Sequence, residues 1–227
     1  MAETERSRGA CAYCGRELTR GGMTKHLRAC EARLQAITAA DARAGAAGPQ
    51  IHLQVRDAYK GDYWLNLEVD GSASLKQLDG YLRAIWLECC GHLSQFSPGG
   101  WGGSTIGMAR KVEQVFRPGV ELTHIYDFGT SSVTLLKTVE ARAGKRTGKH
   151  PIALMARNAA PADSCQECGE PATRLCMECI YEDDRPGTLC QAHAEAHPHD
   201  DYGEPLTLVN SPRMGLCGYE GPADPPY

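Results

Sequence analysis

The stretch Gln50-Ile51-His52-Leu53-Gln54-Val55-Arg56, a turn at Lys60-Gly61-Asp62, and then Trp64-Leu65-Asn66-Leu67-Glu68-Val69 decides the fold. Ile51, Leu53 and Val55 alternate with polar residues, and the second run returns with the same period, which is the pattern of a β-hairpin with one apolar face. Asp70-Gly71 ends it. Ser74, with Gln77 three residues later, has the form of a capping box. Beyond it Leu75, Leu78, Leu82, Ile85, Trp86, Cys89 and Leu93 recur at helical spacing, which predicts an amphipathic helix of roughly five turns.

Working outward, Ser97-Pro98-Gly99-Gly100-Trp101-Gly102-Gly103 reads as a glycine-rich loop, and a shorter helix is expected over Met108–Phe116, stopped by Arg117-Pro118-Gly119. Three strands are expected at Glu121–Phe128, Val133–Ala141 and Pro151–Arg157, the last two joined by the basic run Arg142–His150. The succession predicts an α+β domain over residues 50–157, with helices on one face of a mainly antiparallel sheet. Upstream, residues 34–49 read as an alanine-rich helix continuing into an Ala/Gly linker.

The two ends differ from this centre. Eight of the eleven cysteines fall within residues 11–30 and 165–190, leaving Cys89, Cys90 and Cys217 apart. No run approaches the ~18 apolar residues of a membrane span, and the first residues lack an apolar signal core. The expectation is therefore a cytoplasmic protein, in whose reducing surroundings clustered cysteines point to metal rather than disulfides.

Cys11-x2-Cys14-x11-His26-x3-Cys30 has the ligand spacing of a CCHC zinc finger over residues 10–33. His26 and Cys30 are four apart and share one helix face. Leu18 and Met23 stand where a two-histidine finger keeps its apolar core. Arg16, Arg20, Lys25 and Arg28 could meet phosphates, but a lone finger reads bases poorly, and a docking finger is the equal alternative.

At the other end, residues 162–220 carry Cys165-x2-Cys168-x7-Cys176-x2-Cys179-x10-Cys190-x2-His193-x3-His197-x1-His199, eight candidate ligands for two tetrahedral zincs. The order resembles the B-box and other cross-brace modules. That resemblance implies one ion on Cys165, Cys168, Cys190 and His193, and a second on Cys176, Cys179, His197 and His199. His199 competes with Asp200, Asp201 and Cys217 for the last place, and a single ion on the four CxxC cysteines is the rival arrangement. Three zincs per chain are expected in all, in thiolate-rich sets of structural rather than catalytic character.

Charge divides the chain as well. The net value is −4, made of +3 over residues 1–33, +3 over 34–157 and −10 over 158–227. An acidic end repels a phosphate backbone, whereas the basic N-terminus could meet one.

Asp127-Phe128-Gly129 lacks the other kinase signatures and reads as a strand ending in a turn. Cys89, on the apolar stripe, reads as core.

Trp86-Leu87-Glu88-Cys89-Cys90-Gly91-His92-Leu93-Ser94, Tyr126-Asp127-Phe128-Gly129-Thr130, Asn210-Ser211-Pro212-Arg213-Met214-Gly215 and Cys217-Gly218-Tyr219 resemble motifs of the plasmid pRiA4b ORF-3-like family. The resemblance spans roughly residues 50–220 and implies an α+β domain, a bacterial mobile-element context and an accessory role, with no catalytic residues to carry over. Three functions follow as expectations. The first is a non-enzymatic zinc-binding adaptor whose acidic end docks a protein. The second is a nucleic-acid-binding regulator using the basic finger. The third, least supported by the motifs, is an enzyme working around Cys90, His92 and Asp127.

Overall fold

The computed structural model describes residues 7–199 and 201–227. Its strands are β1 (Arg8–Cys11), β2 (Glu17–Thr19), β3 (Gly48–Asp57), β4 (Trp64–Asp70), β5 (Ser94–Ser97), β6 (Glu121–Tyr126), β7 (Ser132–Gly144), β8 (Ile152–Asn158), β9 (Arg174–Leu175), β10 (Thr188–Leu189) and β11 (Leu206–Thr207). The α-helices are α1 (Arg20–Ala29), α2 (Glu31–Asp41), α3 (Leu75–Leu82), α4 (Val112–Val115), α5 (Met177–Tyr181) and α6 (Gln191–Glu195). The chain is α+β. An eight-stranded antiparallel sheet runs β2-β1-β8-β4-β3-β7-β6-β5, and a second sheet of three short strands runs β10-β9-β11.

The hairpin forms as its alternation requires. β3 pairs β4 from Gln50 opposite Asp70 to Arg56 opposite Trp64. Ile51, Leu53, Val55, Leu65, Leu67 and Val69 share one face and pack against Leu75, Leu78, Leu82, Ile85 and Trp86. The capping box is present: the Ser74 hydroxyl accepts from the Gln77 amide at 3.2 Å, and the Ser74 amide donates to Gln77 Oε1 at 2.9 Å.

The five-turn helix is not formed as expected. After α3 the backbone widens into a π-helical turn at Arg83–Leu87, Glu88 turns extended, and Leu93 is exposed. The π turn shifts the register of the apolar stripe, so Trp86 stays in the core while Cys89 and Cys90 leave the helix axis. Ser94–Ser97, which run from the end of the expected helix into the first residue of the glycine-rich loop, pair with β6 as an edge strand. The second helix shrinks to Val112–Val115, because residues 107–111 spend their backbone groups on the amides of Leu75 and Lys76 and on a turn at Gly107. Gly48 and Pro49, read as linker, open β3 instead.

Helices also cover the second face of the sheet. His52, Gln54, Asn66 and Glu68 alternate with the apolar set, yet His52, Asn66 and Glu68 are buried. Glu68 pairs with Arg33 of α2 at 3.2 Å and with Arg142 at 2.8 Å, His52 meets Asn66 at 2.8 Å, and Gln54 donates to Thr24 of α1 at 2.6 Å. Buried charges need such partners, since isolation in a low dielectric is costly. The finger is thus docked by polar contacts, and its β1 extends the main sheet along β8. A Cβ at Gly9 would overlap the Arg157 carbonyl, so this close pairing needs glycine.

On the opposite edge, Asp79 accepts from Ser94 at 2.6 Å and faces His124 Nε2 at 2.8 Å and Arg83 at 3.6 Å. Burial pushes the Asp79 carboxyl up, but these partners outweigh it and hold the group below the ordinary aspartate range. A depressed folded-state value contributes stability that is complete above the unfolded-state value and disappears as pH falls through the folded one. Asp79→Asn should therefore cost about 1.5–3 kcal/mol at neutral pH and flatten the acid limb of a Tm-against-pH curve. An unchanged acid limb would refute this role.

Candidate metal centres

Four groups of side chains each bring four ligand atoms within 4.8 Å of one another. The first is Cys11, Cys14, His26 and Cys30. β1 ends on Cys11, a turn containing Gly15 follows Cys14, α1 carries His26, and Cys30 forms the junction between α1 and α2. Thr19 caps α1 by accepting from the Gly22 amide, which aims the His26 face at the thiols. Met23 and Leu27 are buried with Cys11, Cys30, Trp64 and Met155, so the finger shares its core with the main sheet.

The second and third groups interleave. Cys165 and Cys168 meet Cys190 and His193, while Cys176 and Cys179 meet His197 and His199. This is the first-with-third, second-with-fourth order. Asp200 lies outside the described residues. Asp201 is not in the group, and Cys217 joins a different one. His199 turns Nδ1 toward Cys179 at 3.4 Å and Nε2 toward Asp183 at 3.5 Å. A carboxylate behind a histidine in this way fixes its tautomer and orients a ligating ring.

The separations are informative. Two sulfurs about 2.3 Å from one tetrahedral ion stand about 3.8 Å apart; a sulfur and a nitrogen stand about 3.6 Å apart, and two nitrogens about 3.3 Å. Cys11–Cys30 measures 4.0 Å, Cys168–Cys190 3.9 Å, Cys165–His193 3.6 Å, Cys176–His199 3.7 Å and His197–His199 3.2 Å. A disulfide would hold its sulfurs at about 2.05 Å. All eleven cysteines are free thiols. The donor sets, rich in sulfur and imidazole nitrogen, are consistent with zinc.

Electrostatics differ among the thiols. Burial pushes Cys11 up to about 11. Cys165 is also raised by burial, but the backbone amides of Cys190, Glu167 and Cys168 outweigh it and bring the thiol down to about 6. Its thiolate is thus partly prepared by the chain, and metal ligands must be deprotonated.

The fourth group escaped the sequence reading: Cys89, Cys90, His92 and Cys217. Cys89 does pack against the core, as its place on the apolar stripe suggested, but the centre of the chain is not devoid of a metal-capable cluster. The signal lay in two short pieces more than a hundred residues apart, Cys89-Cys90-Gly91-His92 and Cys217-Gly218.

Among the basic finger residues, Arg28 is engaged by Glu140 at 3.1 Å. Arg20 and Lys25 flank a shallow concavity with Gln54 and Trp64, and Arg16 is exposed beside the Cys14 turn. Arg142, assigned from sequence to a basic loop, is largely buried on Glu68. No helix among the described residues is long and apolar enough to cross a membrane.

No family model matches the chain, and no curated protein matches it. A solved structure, a protein of unknown function, MM3350, from Methanosarcina mazei Go1, aligns over 56% of this chain and 76% of its own, at 15% identity and a TM-score of 0.42.

Proposed function

We propose that the chain is a non-enzymatic accessory protein in which zinc on the three terminal Cys/His groups holds recognition surfaces, the acidic end docking a basic protein segment. The observation that carries this reading is a patch on the C-terminal module. Tyr181 and Tyr202 are both about half exposed, with ring centroids 5.8 Å apart. The exposed carboxylates of Glu182, Asp183 and Asp184 adjoin them, and Tyr202 donates to Glu182 at 2.6 Å. Aromatic faces rimmed by acid attract lysine and arginine through cation–π and ionic contacts. Asp183 also backs His199, so the patch is tied to the metal group beneath it.

The four-ligand groups favour a structural role, because catalytic zinc keeps a position open for water or substrate. The motif resemblance to the plasmid pRiA4b ORF-3-like family adds a bacterial, mobile-element, cytoplasmic setting. Nucleic-acid binding through Arg16, Arg20 and Lys25 is the competing reading; the Arg28–Glu140 pair weakens it by one cation.

Titration of the full chain against a fluorescent Arg/Lys-rich peptide and against duplex DNA, each over a salt series, separates the two. The expected result is peptide binding that Tyr181→Ala with Glu182→Lys weakens at least about tenfold, the scale of two lost interfacial contacts. DNA binding with a steep inverse salt slope, and none to the peptide, would overturn the proposal.

A further inference from the structure

We infer that Cys89, Cys90, His92 and Cys217 form a fourth zinc-class site that clamps the C-terminal tail to the central sheet. Cys89–Cys90 and Cys90–Cys217 sulfurs are 3.7 and 3.8 Å apart, and His92 Nε2 is 3.0 Å from Cys90 and 3.5 Å from Cys217. The two sulfur–sulfur values are tetrahedron edges about a zinc-sized ion. With this group, all eleven cysteines of the chain lie in metal-capable clusters.

Three features of the backbone and its surroundings point the same way. The π-helical turn at Arg83–Leu87 releases Cys89 and Cys90 from the helix just before the site, and such turns gather at functional positions. Cys217 holds a left-handed conformation at φ +54°, ψ +35°, in which a non-glycine side chain is strained, and which the surroundings must impose. Arg213, fully buried, donates to Cys89 Sγ at 3.3 Å and to Asp127 at 2.7 Å. Three thiolates around a divalent cation leave one net negative charge, and this guanidinium lies against it.

A catalytic thiol–imidazole–carboxylate relay fits the same residues poorly. Such a relay needs one imidazole nitrogen on the thiol and the other on the carboxylate. Here His92 Nε2 faces both Cys90 at 3.0 Å and Asp127 at 3.4 Å. Asp127 is otherwise occupied by Arg213 and by the amides of Gly129 and Thr130.

Ligation would exchange three thiol protons for one divalent ion, with neutral His92 supplying the fourth donor and no change of oxidation state. The tail already leans on the central domain: Ser211 donates to the Trp86 carbonyl at 2.6 Å, Asn158 Nδ2 donates to Asn210 Oδ1 at 2.8 Å, and Asn210 Nδ2 donates to the Asn158 carbonyl at 2.9 Å. The ion would close the remaining span to Cys217.

The test is alkylation mapping of the zinc-loaded full chain, with native mass spectrometry of the same sample. Cys89, Cys90 and Cys217 should resist a maleimide until a chelator is added, and Cys217→Ala should hold one ion fewer while exchanging amide hydrogens in residues 211–219 at least about 100-fold faster. Should that variant misfold, Cys90→Ser and the wild-type alkylation map decide alone. Immediate modification of these three thiols while the other eight stay protected would overturn the inference, as would a Cys90–Cys217 disulfide. Neither outcome depends on the docking proposal, because the peptide titration reads a different surface and the other eight thiols report their own ions.

Discussion

Replacing Cys179 with alanine is expected to strip the ion from its group and unfold residues 162–207 while the main sheet persists. Cys179 is fully buried, 3.2 Å from His197 and 3.4 Å from His199. The module around it has strands of two residues and helices of five. Helices that short are unstable alone. Its buried apolar cluster consists of Cys165, Cys176, Cys179 and Leu189, so three of the four are themselves ligand candidates. Structural zinc contributes roughly 10–16 kcal/mol in small metal domains, as much as the whole ~5–15 kcal/mol that holds an ordinary domain. The damage should also spread to the second group, because Gln166, set between Cys165 and Cys168, donates to Cys179 Sγ at 3.4 Å and accepts from the Gly187 amide at 2.8 Å. Limited proteolysis should cut the variant within residues 162–207 and leave a resistant fragment containing the main sheet. Wild-type resistance with wild-type metal content would contradict the role assigned to this group.

Arg213→Met should be the most damaging change away from the terminal Cys/His groups. Its side chain is buried with Asp127, and it also donates to the Thr130 carbonyl and the Ser132 hydroxyl, both at 3.0 Å. Burial disfavours the charged guanidinium, but the Asp127 and Cys89 contacts together outweigh it; burial likewise pushes Asp127 up, and Arg213 with the Gly129 and Thr130 amides and His92 holds it below the usual carboxylate range. Removing one member of a buried pair strands the other, at about 3–5 kcal/mol, which in a chain of this size lowers Tm by roughly 6–20 °C. Adding Asp127→Asn should restore part of the loss, because it removes the stranded charge. A single variant within about 1 kcal/mol of wild type would refute the assignment, and calorimetry of wild type and the two variants reads it directly.

The hairpin was legible because Ile51–Val55 and Leu65–Val69 alternate strictly, and period two admits few other readings. Ser74 and Gln77 were legible as a cap because the motif is local. The terminal ligand sets were legible for the same reason, since a thiol knuckle writes both its ligands within four residues. Non-local arrangements were harder to read. The polar residues between the apolar ones, His52, Asn66 and Glu68, look like a solvent face until Arg33 and Arg142 arrive from distant segments to bury them. β1 is four residues around Gly9, too short to announce that the finger would extend the sheet. The π turn leaves no mark in an apolar stripe, so the spacing of Leu75 to Leu93 implies a longer helix than the chain forms. The fourth group divides its ligands between residues 89–92 and 217, and only the tail's return across the sheet unites them.

The most direct measurement is the number and identity of ions held by the native full chain, by native mass spectrometry with elemental analysis. Four zinc ions are expected, and removing them with a chelator should make all eleven thiols reactive. A chain that carries no metal yet keeps its thiols protected and its fold intact would contradict it.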